Sequence, residues 1–561
     1  MNRQSQPMMH QHRYLWAGWL ALVLACSGPA ATKAGPTGPE SDPASAATTV
    51  AAATAKAATR PLVEAEPPIP ELQFPQGEAF RKEQPKAGAP RALQLPRIAQ
   101  FKLRNGLQVY LVEQHALPTI SVDLNFDGGS IADPKGKEGL ASVCMAMLTE
   151  GTEKLDKLAF KGALADTASR ISSYSRGDNL GVRMRTLSKH LTSTHALLVD
   201  TLRTPGLRES DLKRMLDRRV AALEQAKGTA GRVASRINGR VLYGPNHPRG
   251  RVVTEASYRS ITVDDCRAFH KKHIKPRGGR LFVVGDLTAD QIRAHFDTGL
   301  PGWQGKGARL PRQPTPRTQK GRIFFVDIPK AAQSAVYVMH FGPKRKARDY
   351  MATRVMSSVL GGHFTGRINM NLREDKGYSY GAGGGMQYNR DHGIFYLASS
   401  VRSDSTYQTV KEMMGEMSGL QDGSRPATDE DLAREKDGAI LKLPGDFATS
   451  RQALSRFRGL VYHRLPMNYY DSFVDRIAKV TPAQVAAAAK KHLRPENAIV
   501  IVVGDRNAPL IHRVAGKDEP LLRDGAQMTL LEGLQDLLQS GILGKGKLVE
   551  LDVDGNPVAK K

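Results

Sequence analysis

Two stretches of the chain share one pattern of apolar and polar positions. Each begins as an amphipathic helix, passes a proline-marked turn, continues as an unbroken apolar strand and ends in Gly-Asp: HKKHIKPRGGRLFVVGD at 270–286 and AKKHLRPENAIVIVVGD at 489–505. They match without a gap at an offset of 219 residues (489 minus 270), which also aligns Thr262 with Thr481. The chain therefore contains an internal repeat.

The beginnings of the two halves also correspond. In the first half NGLQVYLVEQ and TISVDLNFDGGS, and in the second GRIFFVDIP and SAVYVMHFGP, predict two strands before a helix. Such alternation within units of about two hundred residues indicates α+β domains whose sheets carry helices on one face. We predict homologous domains at 93–300 and 320–505 that face each other across a Pro- and Gly-containing linker at 301–319, with a C-terminal extension at 506–561.

Composition separates a front segment from this globular body. Residues 27–92 are rich in Ala, Thr, Pro and Gly and are predicted to be a disordered spacer. The net charge of +26 comes from 81 Lys and Arg against 55 Asp and Glu, but these residues are scattered and form no aromatic-interleaved stripe. We therefore expect no nucleic-acid partner. The charge would be functional in a chamber lining that attracts acidic peptides.

The three cysteines, Cys26, Cys144 and Cys266, are not expected to form a disulfide framework, and no spacing among them resembles a C-x-x-C metal or redox site. We therefore expect stability to come from packing alone. Arg3 and Arg13 precede a short apolar run, which predicts a signal peptide at 1–26. The run of about a dozen residues is too short to span a bilayer, which needs roughly 20. We expect an exported protein of the periplasm or cell envelope.

The end of the signal segment indicates how the chain is held there. Val23-Leu24-Ala25-Cys26 resembles a bacterial lipoprotein box, in which Cys26 would become the lipidated first residue of the mature chain. This predicts a membrane-anchored lipoprotein. The alternative is a plain cleaved signal followed by a free thiol.

The order of further motifs resembles the insulinase, pitrilysin and mitochondrial processing peptidase family of zinc metallopeptidases over roughly residues 95–555. The resemblance is carried by LRNGLQVYLVEQHALP, FDGGSIADPKGKEGLASVCMAMLTEGT, YGPNHPRGR, the paired VVGD strands and LGGHFTGRINMNLREDKGYSYG. Active members carry H-x-x-E-H on the helix after the glycine, where two histidines bind zinc and the glutamate activates water. Here Ser142, Met145 and Ala146 stand at those three positions.

A hydroxyl, a thioether and a methyl group cannot form a hydrolytic zinc shell, so we expect no cofactor bound by this chain. The resemblance implies a third ligand, a glutamate further on, for which the segment RRVAALEQ offers only Glu224. A single carboxylate would not rescue the site. No H-x-x-x-H replaces it among the 15 histidines.

The second half retains the two substrate-binding residues that the resemblance implies for it. Arg373 and Tyr380 in LREDKGYSYG match an arginine and a tyrosine that bind substrate peptide and stabilise its oxyanion, and both groups are suitable donors. The alternative is that Arg373 pairs with Glu374 or Asp375 on a helix surface and that Tyr380 packs in a strand.

A lost zinc motif beside a retained Arg and Tyr resembles the zinc-less subunits of bacterial heterodimeric peptidases. We therefore predict a non-catalytic subunit that binds peptide substrate and a zinc-bearing homologous partner, with zinc on that partner. The alternative is a structural protein, like the core-protein relatives of the respiratory complex, or a peptide-binding protein without a proteolytic role.

Overall fold

The computed structural model describes residues 77–82, 95–300, 302–316, 322–514, 516–543 and 546–558. The segment 77–82 contains a short 3-10 helix, Ala79–Lys82, and belongs to a unit separate from the one that holds both predicted domains. The predicted signal peptide with Cys26, and the rest of the predicted spacer, lie outside the described residues. Within these ranges, no helix combines the length and apolarity needed to span a bilayer.

The first half is a six-stranded sheet with helices. Its strands are β1 (Ala99–Lys102), β2 (Gln108–Glu113), β3 (Thr119–Asp127), β4 (Arg170–Ser175), β5 (Asn179–Leu187) and β6 (Arg280–Gly285), in the order β1-β2-β6-β3-β5-β4. Its helices are α1 (Leu140–Met147), α2 (Lys157–Asp166), α3 (Leu191–Arg203), α4 (Glu209–Lys227), α5 (Ala230–Tyr243), α6 (Glu255–Arg259), α7 (Val263–His273) and α8 (Ala289–Arg293). β2 and β6 are parallel, and the other neighbours are antiparallel.

The second half repeats this arrangement. Its strands are β7 (Arg322–Asp327), β8 (Gln333–Gly342), β9 (Ser379–Tyr388), β10 (Gly393–Arg402), β11 (Ile499–Gly504), the hairpin strands β12 (Ile511–Val514), β13 (Lys517–Pro520), β14 (Leu522–Arg523) and β15 (Ala526–Gln527), and β16 (Lys547–Leu551). Its helices are α9 (Tyr350–Gly361), α10 (Arg367–Asn369), α11 (Thr406–Asp422), α12 (Asp429–Gly445), α13 (Ser450–Tyr462), α14 (Phe473–Ala478), α15 (Pro482–His492) and α16 (Leu530–Gln539). The sheet order is β16-β7-β11-β8-β10-β9.

The repeat seen in the sequence is a repeat of structure. α7 and β6 recur as α15 and β11, and the side chains of Thr262 and Thr481 cap the two helices in the same way. β6 and β11 lie inside their sheets and are almost wholly buried, which explains their unbroken apolar sequences. The predicted fold class, two homologous α+β domains, is confirmed.

The two halves exchange one helix each. α5 of the first half packs on β8 and β11 of the second sheet, where Val233 and Ile237 join the apolar cluster of β11. α13 of the second half packs on β6 and β3 of the first sheet. Each sheet therefore has helices of its own half on one face and a helix of the opposite half on the other. These two helices pack the halves against each other.

The C-terminal residues complete the second sheet. β16 pairs in parallel with β7 at its edge, and α16 packs against α11. The predicted extension at 506–561 thus supplies a strand and a helix to the second half. Leu530, Leu534 and Leu537 of α16 are fully buried, so this helix belongs to the core.

Candidate functional site

The helix that carries the degenerate metal motif is anchored at its first turn. α1 begins at Leu140, and the residue before it, the N-cap Gly139, has a left-handed φ of 101°. The buried Asp133 carboxylate accepts hydrogen bonds from the backbone N–H groups of Gly139 and Ala141, both at 2.9 Å. Burial raises the pKa of Asp133 to about 7, against the lowering effect of these two bonds. The start of α1 is therefore held by a buried polar contact.

The three positions of the lost motif do not share one environment. Met145 is fully buried in the core of the first half, while Ser142 and Ala146 are half-buried. Arg219 of α4 reaches Ser142, donating from Nη1 to its Oγ at 2.9 Å and from Nη2 to its carbonyl oxygen at 3.2 Å. A guanidinium group, already a cation, therefore lies against this helix. Such a site does not fit zinc, because it repels a metal cation and offers no imidazole or carboxylate.

Glu224, the only carboxylate that the sequence offered as a third ligand, pairs with a lysine of its own helix α4. Its side chain is exposed and accepts from Lys227 Nζ at 2.8 Å. Arg219 is instead the residue of RRVAALEQ that faces α1, and the register was not evident from the sequence. In the ranges that the structure describes, no group of three or more His, Cys, Asp or Glu side chains is placed to hold a metal ion.

A disulfide bond joins α1 to α7, and the expectation that packing alone stabilises the chain is wrong. Cys144 and Cys266 lie 122 residues apart in sequence, yet their Cα atoms are 4.9 Å apart and the sulfurs are bonded. Both residues are buried. The bond escaped sequence analysis because the two helices meet only in the folded chain, and no local spacing marks the pair.

The predicted donor residues lie in the second half. Arg373 belongs to a π-helix, Met370–Asp375, that continues α10, and Tyr380 lies in the edge strand β9. The Arg373 guanidinium lies 4.4 Å from the centre of the Phe364 ring, and its Nε is 3.4 Å from Glu374 Oε1. The pairing of Arg373 with Glu374, the structural alternative, is thus present. Arg373 keeps 37% of its side chain exposed, so it is also open to a ligand.

Tyr380 does not pack within its strand. It is 82% exposed, and the apolar side chains of Phe364 and Met370, 58% and 38% exposed, also reach solvent in this segment. Arg513 of β12 donates to the Lys376 carbonyl oxygen at 3.0 Å and so fixes the turn between Arg373 and Tyr380. Arg513 thus stabilises this segment, while the Tyr380 phenol and the Arg373 guanidinium remain accessible to solvent.

The two candidate sites belong to different halves. The main contacts of α1 are with α7, β4 and α4, whereas the π-helix contacts β9, α10 and α11. The roles of Arg373 and Tyr380 stay a prediction. The structure shows where these residues lie and that they are accessible.

Comparison with known proteins covers both halves. Residues 108–235 match Insulinase (Peptidase family M16), and residues 260–439 match the Peptidase M16 inactive domain. The chain is similar to the Non-peptidase homolog YmxG of Helicobacter pylori, with 22% identity over 406 residues that cover 70% of this chain and 91% of that protein.

Two solved structures show the same fold. The peptidase M16 inactive domain from Pseudomonas fluorescens superposes with a TM-score of 0.67 and 23% identity, covering 73% of this chain and 98% of that chain. The periplasmic protease PqqL from Escherichia coli superposes with a TM-score of 0.63 and 14% identity, covering 75% of this chain but 46% of that chain.

Proposed function

Because this chain belongs to the insulinase (M16) peptidase family, we propose that it is the non-catalytic subunit of a two-chain metallopeptidase of the cell envelope. Family membership confirms the resemblance drawn from the motifs, since the matches at 108–235 and 260–439 cover both halves. Similarity to the non-peptidase homolog of Helicobacter pylori supports a non-catalytic member. The zinc-bearing homologous partner is part of the proposal.

The observation that carries the proposal is the unequal state of the two sites. α1 lacks every metal ligand of the motif, and Arg219 places a cation against it. The donor segment keeps both Arg373 and Tyr380, and Tyr380 is exposed. Both donor side chains are accessible to a ligand, with Tyr380 82% and Arg373 37% exposed.

In the proposed complex, Arg373 and Tyr380 bind substrate peptide whose scissile bond lies against the partner. The guanidinium and the phenol donate hydrogen bonds to the carbonyl oxygen as negative charge develops on it. Donors placed where charge develops are each worth about 2.7–4 kcal/mol of barrier. Similarity to half of the longer PqqL chain supports a second unit of comparable size.

Export is proposed on two grounds. The predicted signal peptide and the lipoprotein-like Cys26 predict transport and anchoring, and they lie outside the described residues. The disulfide between Cys144 and Cys266 supports transport, because such bonds persist in oxidising compartments such as the bacterial periplasm.

The proposal is tested with a complex reconstituted from this chain and a homologue that carries the full H-x-x-E-H motif. Arg373→Ala and Tyr380→Phe should each lower kcat by roughly a hundredfold, because each removes one oxyanion donor. Complex formation and zinc content should not change. Glu374→Gln is the matched control, since it removes the ion-pair partner of Arg373 and leaves the guanidinium in place.

The contrary result is equally clear. If both variants cleave peptide at the unmutated rate in a complex of verified composition, the donor role is wrong. A structural role without part in hydrolysis would then be the better description.

A further inference from the structure

A cavity of about 550 Å³ lies between the two halves. One wall is the inner face of the first sheet, with Tyr110, Asn125 and Phe282 on β2, β3 and β6. The other wall is formed by the end of α13 and the loop that follows it, with residues 461, 462 and 464–467. The volume falls within the range of small-ligand sites, about 300–1,000 Å³.

The charged side chains that line the cavity are mostly arginines. Arg280, Arg390, Arg458 and Arg464 line it, against the single carboxylate of Asp127. Asp127 is 3.1 Å from Arg280 and 3.2 Å from Arg390, so one negative charge is shared by two positive ones. The carboxylate at the wall is therefore already satisfied and would not repel an incoming anion strongly.

Two further carboxylates near the cavity, Asp123 and Asp178, also each pair with two arginines. Asp123, which is itself buried, is 2.5 Å from Arg458 and 3.0 Å from Arg183. Asp178 is 3.4 Å from Arg249 and 3.5 Å from Arg390. Three carboxylates thus face five guanidinium groups before Arg464 is counted, and the region carries an excess of positive charge.

Arg464 differs from the other arginines at the cavity. Its side chain forms no ion pair or hydrogen bond with any residue that the structure describes, and it is exposed. Its φ of 53° is left-handed, at the end of α13, where Leu465 N–H donates to the Leu460 carbonyl at 2.8 Å. A left-handed φ is unfavourable for a residue that carries a side chain, and such strain concentrates at functional sites.

We propose that this cavity binds a peptide segment rich in carboxylate side chains, and that Arg464 pairs with one of those carboxylates. Arginine binds carboxylates through two parallel N–H···O bonds, and the surrounding excess of positive charge favours the same ligand. The inference rests on the proposed function, because it names the class of peptide that the subunit recognises.

The test uses the mature chain without a partner. Binding of a fluorescein-labelled peptide that carries several glutamates is compared by anisotropy with binding of the same peptide with glutamine at those positions. We expect the glutamate peptide to bind at least about tenfold more tightly, and its affinity to fall as salt is added.

The decisive variant is Arg464→Gly. Glycine keeps the left-handed turn and removes only the guanidinium, so the melting temperature should be unchanged or higher while the glutamate peptide binds about tenfold more weakly. Arg267→Ala, which removes an exposed arginine of α7 that pairs with Asp264, is the control and should bind normally.

Equal binding of the glutamate and glutamine peptides, or undiminished binding by Arg464→Gly, would overturn the proposal. Tighter binding of a single-stranded oligonucleotide of equal charge would overturn the peptide assignment. If acidic peptides fail to bind while Arg373→Ala still lowers turnover in the complex, the ligand class is refuted and the donor role stands.

Discussion

The disulfide between α1 and α7 should contribute a large part of the stability of the first half. Cys144 and Cys266 are each 1% exposed and close a loop of 122 residues. Closing a loop of this length in the unfolded chain corresponds to about 5 kcal/mol, and removing native disulfides costs about 2–5 kcal/mol. We therefore expect Cys144→Ala/Cys266→Ala to lower the free energy of unfolding by an amount in that range.

The assay is urea unfolding of the wild type and the double variant, with and without dithiothreitol. Reduction should bring the wild-type midpoint down to that of the double variant, whose own midpoint should not respond to the reductant. The variant thus controls for direct effects of the reductant. Because a chain of two halves is not bound to unfold in one step, the midpoints are compared directly.

Thiol titration decides whether the reasoning is sound. The unreduced chain, unfolded in denaturant, should show no reactive thiol from Cys144 or Cys266. Two such thiols in protein prepared from an oxidising compartment, or a wild-type midpoint indifferent to reduction, would refute the assignment.

Three further outcomes are expected. The mature chain alone should bind no stoichiometric zinc and hydrolyse no peptide, because Ser142, Met145 and Ala146 offer no ligand or base; metal analysis that finds one tightly bound zinc, with chelator-sensitive cleavage, would contradict this. Cys26→Ser should abolish lipid labelling and release the protein from membranes, and a variant that resists a salt wash would argue against the anchor. The pKa of Asp133 is raised from 3.8 to about 7, so its contribution to stability is full below about pH 4 and is lost as pH rises through 7. The urea midpoint of the wild type should therefore fall between pH 4 and 7, and Asp133→Asn should make the midpoint depend less on pH over that interval. The same pH dependence in the variant and the wild type would count against this role of Asp133.

Much of the fold could be predicted from the sequence because the repeat is a local pattern. The helix, turn and strand of 270–286 return at 489–505 with the same caps and the same buried strand, and the structure places them at equivalent positions in the two sheets. The helix that carries the degenerate metal motif could also be predicted from the sequence, since α1 spans Ser142, Met145 and Ala146. Motif spacing on one helix needs no tertiary information.

The exchange of helices could not be predicted. An amphipathic pattern shows that one face of α5 or α13 is apolar, but it does not say which sheet covers that face. Only the folded chain assigns α5 to the second sheet and α13 to the first.

The same limit applies to the sites. The sequence alone determined that the metal ligands are missing from α1 and that Arg373 and Tyr380 remain, because these are matters of residue identity at fixed spacing. Only the tertiary structure brought Cys144 to Cys266 and Arg219 to Ser142, and set Arg464 at the mouth of a cavity between the halves. Contacts between residues far apart in sequence depend on how helices and sheets pack, and local patterns of apolar and polar residues do not encode the partner.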